Sequence, residues 1–218
     1  EIAAVESVLP TVDLDKPWQL LEANAVYVRE VAGKMSSSSL AEGAYVDPAA
    51  KIEGHVRLGK GARIEGPCII KGNVIVGDGS VIRDGAIIRG HAIIGDRCSI
   101  ANYCLIEGDS VIGDGCVVDH AAEFGGVLME NVYLYHYMEI AGIVGRSTDI
   151  GAGSVCGTLR FDDGLTVHRV KGRPERPRFG ANVAYIGDFC RLGVNAILMP
   201  GAKIGPYSLI GPGVIVQG

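Results

Sequence analysis

The chain is poor in aromatic residues and contains no long apolar run. Aromatic side chains make up 6% of its 218 residues, and tryptophan occurs once. No run of about eighteen apolar residues is present, so no membrane span is expected, and no secretory signal is visible. The net charge of −5 argues against general nucleic-acid binding. The chain begins with Glu1 rather than Met, which is typical of an excised or processed fragment.

The cysteines lack the spacing of a metal or redox site. No C-x-x-C pair occurs, so we expect no zinc site and no redox motif. The cysteines instead fall on the inward rows of a repeat described next, which predicts buried thiols that pack as small hydrophobes. Reduced thiols fit a cytoplasmic location. The residues concerned are Cys68, Cys98, Cys104, Cys116, Cys156 and Cys190.

What the chain has in abundance is an aliphatic residue at every sixth position. An α-helix repeats every 3.6 residues and a strand every two, so neither explains this row. A period of six predicts a parallel β-helix, an all-β solenoid of short strands. Glycines recurring every eighteen residues, from Gly54 to Gly108, predict three faces per coil. The aliphatic row is Val46, Ile52, Leu58, Ile64, Ile70, Val76, Ile82, Ile88, Ile94, Ile100, Ile106, Ile112 and Val118.

The repeat then breaks, and the break marks the place to look for function. After Phe124 the register slips by two, and we expect the row to resume at Val132, Met138, Val144, Ile150 and Cys156. A polar segment follows before the row returns at Ile186. We therefore predict a β-helix over residues 41–218 with an inserted loop at 157–180, and long loops in such scaffolds are often functional.

The first forty residues lack the repeat and read as a helical linker. Asp15-Lys16-Pro17-Trp18 has the pattern of a helix start, with Asp15 near the N-cap, and the helix is expected to end near Lys34. Trp18 is expected to anchor this helix against the solenoid or against a neighbouring subunit.

Several motifs of the chain resemble, in order, those of bifunctional sugar-1-phosphate nucleotidylyltransferase/N-acetyltransferases. The segment DLDKPWQLLEAN at 13–24 is similar to the junction that precedes their left-handed β-helix. The second half is similar at His120-Ala121-Ala122-Glu123, His136, Ile150-Gly151-Ala152-Gly153, Leu159-Arg160-Phe161-Asp162-Asp163, Gly193-Val194-Asn195 and Pro200-Gly201. The resemblance implies a left-handed parallel β-helix, a homotrimer, and acetyl-CoA bound between neighbouring solenoids. The glycine-rich nucleotidyltransferase signature is absent, so Mg would enter only with an upstream nucleotidyltransferase domain.

The resemblance also implies roles for individual residues. His136 matches the catalytic histidine, a general base that removes a proton from the amine of a sugar-type substrate, a role that imidazole suits near neutral pH. Glu123 or Glu139 would orient it. An N–H near Ala152 would stabilise the tetrahedral oxyanion. The remaining predicted contacts are Glu139, Asp149 and Arg160 to the substrate, and Ala152, Val194, Lys171 and Arg173 to the cofactor.

The chain departs from the family at positions that hold the sugar phosphate. Glu107 stands where the family has an arginine and Gly125 where it has a lysine. Glu139 replaces a tyrosine and Asp149 an asparagine. Lost cations and added carboxylates disfavour an anionic acceptor, so the sequence leaves the acceptor unassigned.

Two other readings remain beside the acyltransferase. The first is a non-catalytic trimerisation or regulatory module of a sugar nucleotidyltransferase, in which His136 is a structural residue at a subunit contact. The second, a zinc carbonic anhydrase, is disfavoured because His91, His120 and His136 lack the required spacing. His55, His91 and His168 belong to no constellation, and we expect them at the surface or in loops. The basic 157–180 segment either binds phosphates or is simply a solvated loop.

Overall fold

The computed structural model describes residues 11–217, and in them a single α-helix precedes a parallel β-helix. Helix α1 spans Pro17–Val31. Its N-cap is Lys16, one residue later than expected, and the Lys16 N–H donates to Gln19 Oε1 at 2.8 Å. The helix ends at Val31, before the predicted Lys34. None of the described helices combines the length and hydropathy needed to cross a bilayer.

The helix is fastened to the solenoid at its carboxyl end. The Asn73 side chain, itself buried, donates from Nδ2 to the carbonyl oxygens of Ala32 at 2.9 Å and Met35 at 3.0 Å. These carbonyls follow the last helical turn, where backbone acceptors otherwise lack partners. Asn73 thereby joins the first segment to the β-helix.

The strands stack in parallel on three faces of a left-handed β-helix. The first face contains β3 Lys51–Glu53, β6 Ile69–Lys71, β9 Ile87–Arg89, β12 Leu105–Glu107, β19 Val155–Cys156, β24 Ile197–Leu198 and β27 Ile215–Val216. The second contains β1 Ser39–Leu40, β4 Val56–Leu58, β7 Val74–Val76, β10 Ala92–Ile94, β13 Ser110–Ile112, β22 Ala184–Ile186 and β25 Lys203–Ile204. The third contains β2 Tyr45–Val46, β5 Arg63–Ile64, β8 Val81–Ile82, β11 Ser99–Ile100, β14 Val117–Val118, β16 Tyr133–Leu134, β18 Asp149–Ile150, β23 Arg191–Leu192 and β26 Leu209–Ile210. Two longer strands, β15 Glu123–Leu128 and β17 Glu139–Val144, run continuously from the first face onto the second.

The predicted inward rows form the core. Ile64, Ile82 and Ile100 are completely buried on successive coils of the third face. Each strand pairs with the strand one coil later, so Ile82 lies opposite Ile100. All six cysteines are buried and free, which confirms that they pack as small hydrophobes. Burial raises the pKa of the Cys104 thiol to about 12, which suits a core residue and not a nucleophile.

The register slips twice, whereas the spacing in the sequence predicts only one slip. Phe124 lies opposite Ile140, sixteen residues later instead of eighteen, because the corner between the first and second faces has lost two residues. The same contraction recurs at Gly142, within β17. Consequently Leu128, Leu134 and Ile140 continue the large inward row. The expectation that Val132 and Met138 carry that row was wrong: both are buried, but they occupy the row of smaller side chains.

The insertion contains an antiparallel hairpin that packs against α1. Strands β20 His168–Val170 and β21 Arg173–Glu175 are joined by Lys171 and Gly172, both at positive φ. The rings of Trp18 and His168 are 4.8 Å apart, so Trp18 does anchor the helix to its own chain. A surface or loop position for His168 was wrong, since its exposed fraction is 1%. Its burial depends on α1, which no local pattern reveals.

Candidate functional site

His136 lies on one corner of the solenoid, between the third and first faces. The residues stacked at this corner, here called the His136 column, are Asp84, Asn102, His120, His136, Ala152 and Val194. Backbone hydrogen bonds hold them in line. The residue that follows each column member donates its backbone N–H to the carbonyl oxygen of the column member one coil earlier. For example, Tyr137 donates to His120 at 3.0 Å and Gly153 to His136 at 2.9 Å. The predicted residues His136, Ala152 and Val194 are thus brought into one column.

Rings surround His136 on its exposed corner. The centroids of His136 and His120 are 4.5 Å apart, with an interplanar angle of 32°. Tyr135 lies 5.7 Å from His136 and stacks at 6.3 Å on Tyr133. Both histidines are exposed and adopt positive φ, 62° for His136 and 49° for His120. Asp84 and Asn102 of the same column adopt it too, at 54° and 50°, so this conformation belongs to the corner of the coil.

A buried carboxylate supports His120. Asp119, 8% exposed, accepts hydrogen bonds on Oδ1 from Asn102 Nδ2 and from the backbone N–H of His120, both at 2.6 Å. The same oxygen lies 3.7 Å from His120 Nδ1. Sequence reasoning missed Asp119 and Asn102. The available signal was an acid directly before a corner histidine, with an asparagine eighteen residues before that histidine.

Carboxylates line the first face beside this corner. Glu123 and Glu139 begin β15 and β17 and lie opposite each other in register. Burial raises the pKa of Glu123, and the charges of Glu139 and Glu107 raise it further. Arg89 opposes them and pairs with Glu107 at 3.0 Å. Within residues 11–217, no hydrogen bond or ion pair joins His136 to Glu123 or Glu139. No direct contact therefore supports their predicted role in orienting His136.

The other predicted contacts are dispersed within one chain. Asp149 begins β18, in register with Tyr133 and Arg191. Arg160 is held by Asp162 through two bonds of 2.8 Å, which lower the pKa of that carboxyl.

Lys171 lies in the hairpin turn and Arg173 begins β21, and both side chains are exposed. The insertion leaves the solenoid between the first and second faces, a different corner from that of His136. One chain therefore does not bring these two cations to the column.

Two concave regions flank the insertion, and neither contains His136. A cleft of about 700 Å³ at its base is lined by Leu159, Arg160, Phe161 and Pro200, among others. A cavity of about 370 Å³ lies under α1 against the contracted corners, with Gly125 in its lining. In the described part of the chain, no three histidine, cysteine or acidic side chains are grouped as metal ligands.

Two family models match parts of the chain. The model described as "GMPPB C-terminal domain" matches residues 35–126. The model described as "Bacterial transferase hexapeptide (six repeats)" matches residues 184–218. Together they recognise the repeat on both sides of the contracted coils.

The chain is also similar to part of several curated proteins. It is 32% identical over 96 residues to the bifunctional protein GlmU of Methanococcus maripaludis, a match covering 43% of this chain and 23% of that protein. It is 34% identical over 95 residues to a bifunctional sugar-1-phosphate nucleotidylyltransferase/acetyltransferase of Sulfurisphaera tokodaii, covering 42% and 23%. The match spans about a quarter of the length of these relatives.

Solved structures give only distant likenesses. A perosamine N-acetyltransferase mutant from Caulobacter crescentus, in complex with CoA and GDP-perosamine, matches with a TM-score of 0.31 at 15% identity, covering 65% of this chain and 57% of that one. UDP-N-acetylglucosamine acyltransferase of Francisella novicida matches with a TM-score of 0.35 at 16% identity, covering 84% and 62%. The fold is established by the strands themselves. By its repeat, its coils and its relatives, the chain resembles the hexapeptide-repeat acyltransferases, and in particular the C-terminal left-handed β-helix domain of bifunctional sugar-1-phosphate nucleotidylyltransferase/acetyltransferases.

Proposed function

We propose that the chain transfers an acetyl group from acetyl-CoA to the amine of an amino sugar, with His136 as the general base. The observation that carries the proposal is the line of His136, Ala152 and Val194 along one corner, at motifs that resemble those of sugar N-acetyltransferases. His136 is exposed there, so a substrate has access to its imidazole.

The proposed reaction needs a proton acceptor because an ammonium is not a nucleophile. The amine nitrogen attacks the thioester carbonyl, and His136 takes a proton from that nitrogen. The carbon–nitrogen bond forms, the carbon–sulfur bond breaks, and the thiol of CoA leaves with a proton. The Ala152 N–H, which has no acceptor within the described residues, is suited to stabilise the oxyanion.

The acceptor we propose is an amino sugar without a phosphate next to the reacting amine. Carboxylates such as Glu123, Glu139 and Asp149 accept hydrogen bonds from sugar hydroxyls and attract an ammonium, but they repel phosphate. Arg160 does not offset them, since Asp162 already holds its guanidinium.

Acetyl-CoA would lie along the part of the column from Ala152 to Val194, beyond His136, and its phosphates would meet cations of the insertion, including Lys171 and Arg173. One chain places these cations at another corner. The proposal therefore requires a homotrimer in which a neighbouring solenoid completes the site and shields His136 from water.

A second candidate is a non-catalytic module that assembles or regulates a sugar nucleotidyltransferase. It is favoured by Glu107 and Gly125, which stand where the resembling family has cations that hold the sugar phosphate, and by the added carboxylates Glu139 and Asp149.

The discriminating experiment measures acetyl-CoA-dependent thiol release with a panel of amino sugars, some phosphorylated and some not. We expect turnover with an unphosphorylated amino sugar, and a loss of roughly a hundredfold or more in kcat for His136→Ala. His55→Ala is the matched control, since this histidine lies at another corner and forms hydrogen bonds through its backbone N–H and carbonyl, which the substitution keeps.

Ligand binding provides the second arm. Acetyl-CoA at a hundred times its Kd should stabilise the protein by about 2.7 kcal/mol. If millimolar acetyl-CoA leaves Tm unchanged and no sugar releases thiol, the non-catalytic module is the better answer. Equal rates for wild type and His136→Ala would remove His136 from the mechanism.

A further inference from the structure

His136 shares its corner with a second histidine that the resemblance assigns no role. His120 lies one coil earlier in the same column, and its carbonyl oxygen accepts the Tyr137 N–H at 3.0 Å. The two imidazoles are 4.5 Å apart at 32°. One face of the His136 ring is therefore covered by another ring, although both residues are exposed.

His120 is itself held by a buried group. Asp119 Oδ1 binds the His120 N–H and Asn102 Nδ2 at 2.6 Å each, which leaves this carboxylate little freedom to move. The same Asp119 oxygen also lies 3.7 Å from Nδ1 of the His120 ring. The chain of contacts runs from Asn102 through Asp119 and His120 to His136.

The neighbours on the other side of His136 are weaker constraints. Ala152, one coil later, has only a methyl group, and the Tyr135 centroid is farther away at 5.7 Å. Glu123 and Glu139, the expected orienting groups, make no hydrogen bond to His136 within the described chain. The tilted contact with the His120 ring is therefore the closer of the two ring contacts that restrict rotation of the His136 ring.

We propose that His120 is a positioning residue for His136. By packing its ring against His136 it selects the side-chain rotamer that directs the free imidazole nitrogen toward the acceptor amine. The proposal rests on the proposed acetyl transfer and adds a residue that neither the sequence motifs nor the relatives assign. A base must lie within hydrogen-bond reach of its proton, so a misdirected ring lowers the rate without changing cofactor binding.

The kinetic test compares His120→Asn with His120→Phe. Asn102 adopts a φ of 50° one coil earlier, so asparagine suits the backbone here while removing the ring. We expect His120→Asn to lower kcat at least roughly tenfold, with KM for acetyl-CoA unchanged. His120→Phe keeps a flat ring for stacking and should recover most of that loss. Equal activity in wild type and His120→Asn, or an equal loss in both variants, would overturn the proposal.

A structural readout separates this proposal from the proposed function. In the full chain with labelled histidine, nuclear Overhauser contacts between the two rings and a single His136 χ1 rotamer are expected for wild type. His120→Asn should average the His136 rotamers, and His120→Phe should restore one. If wild type transfers no acetyl group, the acetyltransferase proposal fails while these spectra still decide the positioning. Unchanged His136 rotamers in His120→Asn would refute it whatever the activity.

Discussion

The regular coils and the contracted coils use the same inward rows but differ at one corner. From Val46 to Val118 every coil takes eighteen residues, and the corner between the first and second faces includes residues such as Gly108 and Asp109. In the two coils that follow, this corner is two residues shorter, so β15 and β17 cross it without interruption. The first region repeats a scaffold, and the second changes its outer surface.

The contraction creates the docking surface of the N-terminal helix. Val127 and Ile143, just past the tight corners, point outward and become buried against Trp18 and Leu21. Insertion residues close the same cluster, because the Tyr185 hydroxyl donates to the Gly180 carbonyl at 2.6 Å. The contracted region thus holds the helix and the hairpin, and its coils also carry His136.

The largest effect is expected for Gly142→Ala, at the second contracted corner. Gly142 has φ +131°, which side chains rarely adopt, and an added Cβ would collide with the carbonyl oxygen of Ala184. Backbone strain and overpacking together should cost about 4 kcal/mol of unfolding free energy. Urea denaturation measures this loss.

Gly61→Ala, at a different corner of the regular coils, is the control for backbone strain without a collision. Its φ is +63°, and nothing lies within 4 Å of an added Cβ. We expect a loss of only about 1 kcal/mol there. Equal losses at the two sites would mean that the collision with Ala184 adds nothing to the strain of the backbone.

The next effect is expected for Trp18→Ala, which removes the anchor of α1. Trp18 is 7% exposed and contacts His168 and Tyr185, so its loss should cost about 3 kcal/mol. Hydrogen exchange should be faster in the variant than in wild type for α1 and the hairpin, and unchanged for the coils before residue 118.

Tyr27→Ala on the same helix is the control, since Tyr27 is 58% exposed. It should leave exchange in α1 unchanged. If Trp18→Ala instead loosens the regular coils to the same degree as α1, the two regions do not behave as separate units.

The smallest effect is the pH dependence of this helix–hairpin contact. Burial lowers the pKa of His168, the nearby Lys203 lowers it further, and the Ala181 carbonyl, 2.8 Å from Nε2, opposes them. Because the folded pKa lies below the unfolded value of about 6.5, the unfolded chain binds more protons, and stability falls as the pH drops below that value. Above it, this group gives no dependence.

Unfolding free energies measured from pH 8 to pH 5 test this sign. His168→Phe, which keeps an aromatic ring beside Trp18, should flatten the slope. A wild-type curve that rises on acidification through pH 6 would contradict the assignment.

The core was predictable from sequence, whereas the surface of the contracted region was not. The inward rows and buried cysteines follow from a local period. The second slip was missed because Val132 and Met138 are hydrophobic and happen to keep a spacing of six. The equal spacing of sixteen from His120 to His136 and on to Ala152 was the available sign of two contracted coils.

The sequence by itself determined the solenoid, because every face of a coil directs a side chain into the core at a fixed spacing of six residues. Burying a polar side chain in that core costs free energy, so the spacing is visible in the sequence. Only the tertiary structure decided which residues meet on the outside. His120 reaches His136 because one coil stacks on the next, and Trp18 reaches His168 because the helix folds back across 150 residues of chain. Such contacts depend on how successive coils are aligned and on where the helix packs. The residues on one side of the contact do not by themselves determine either.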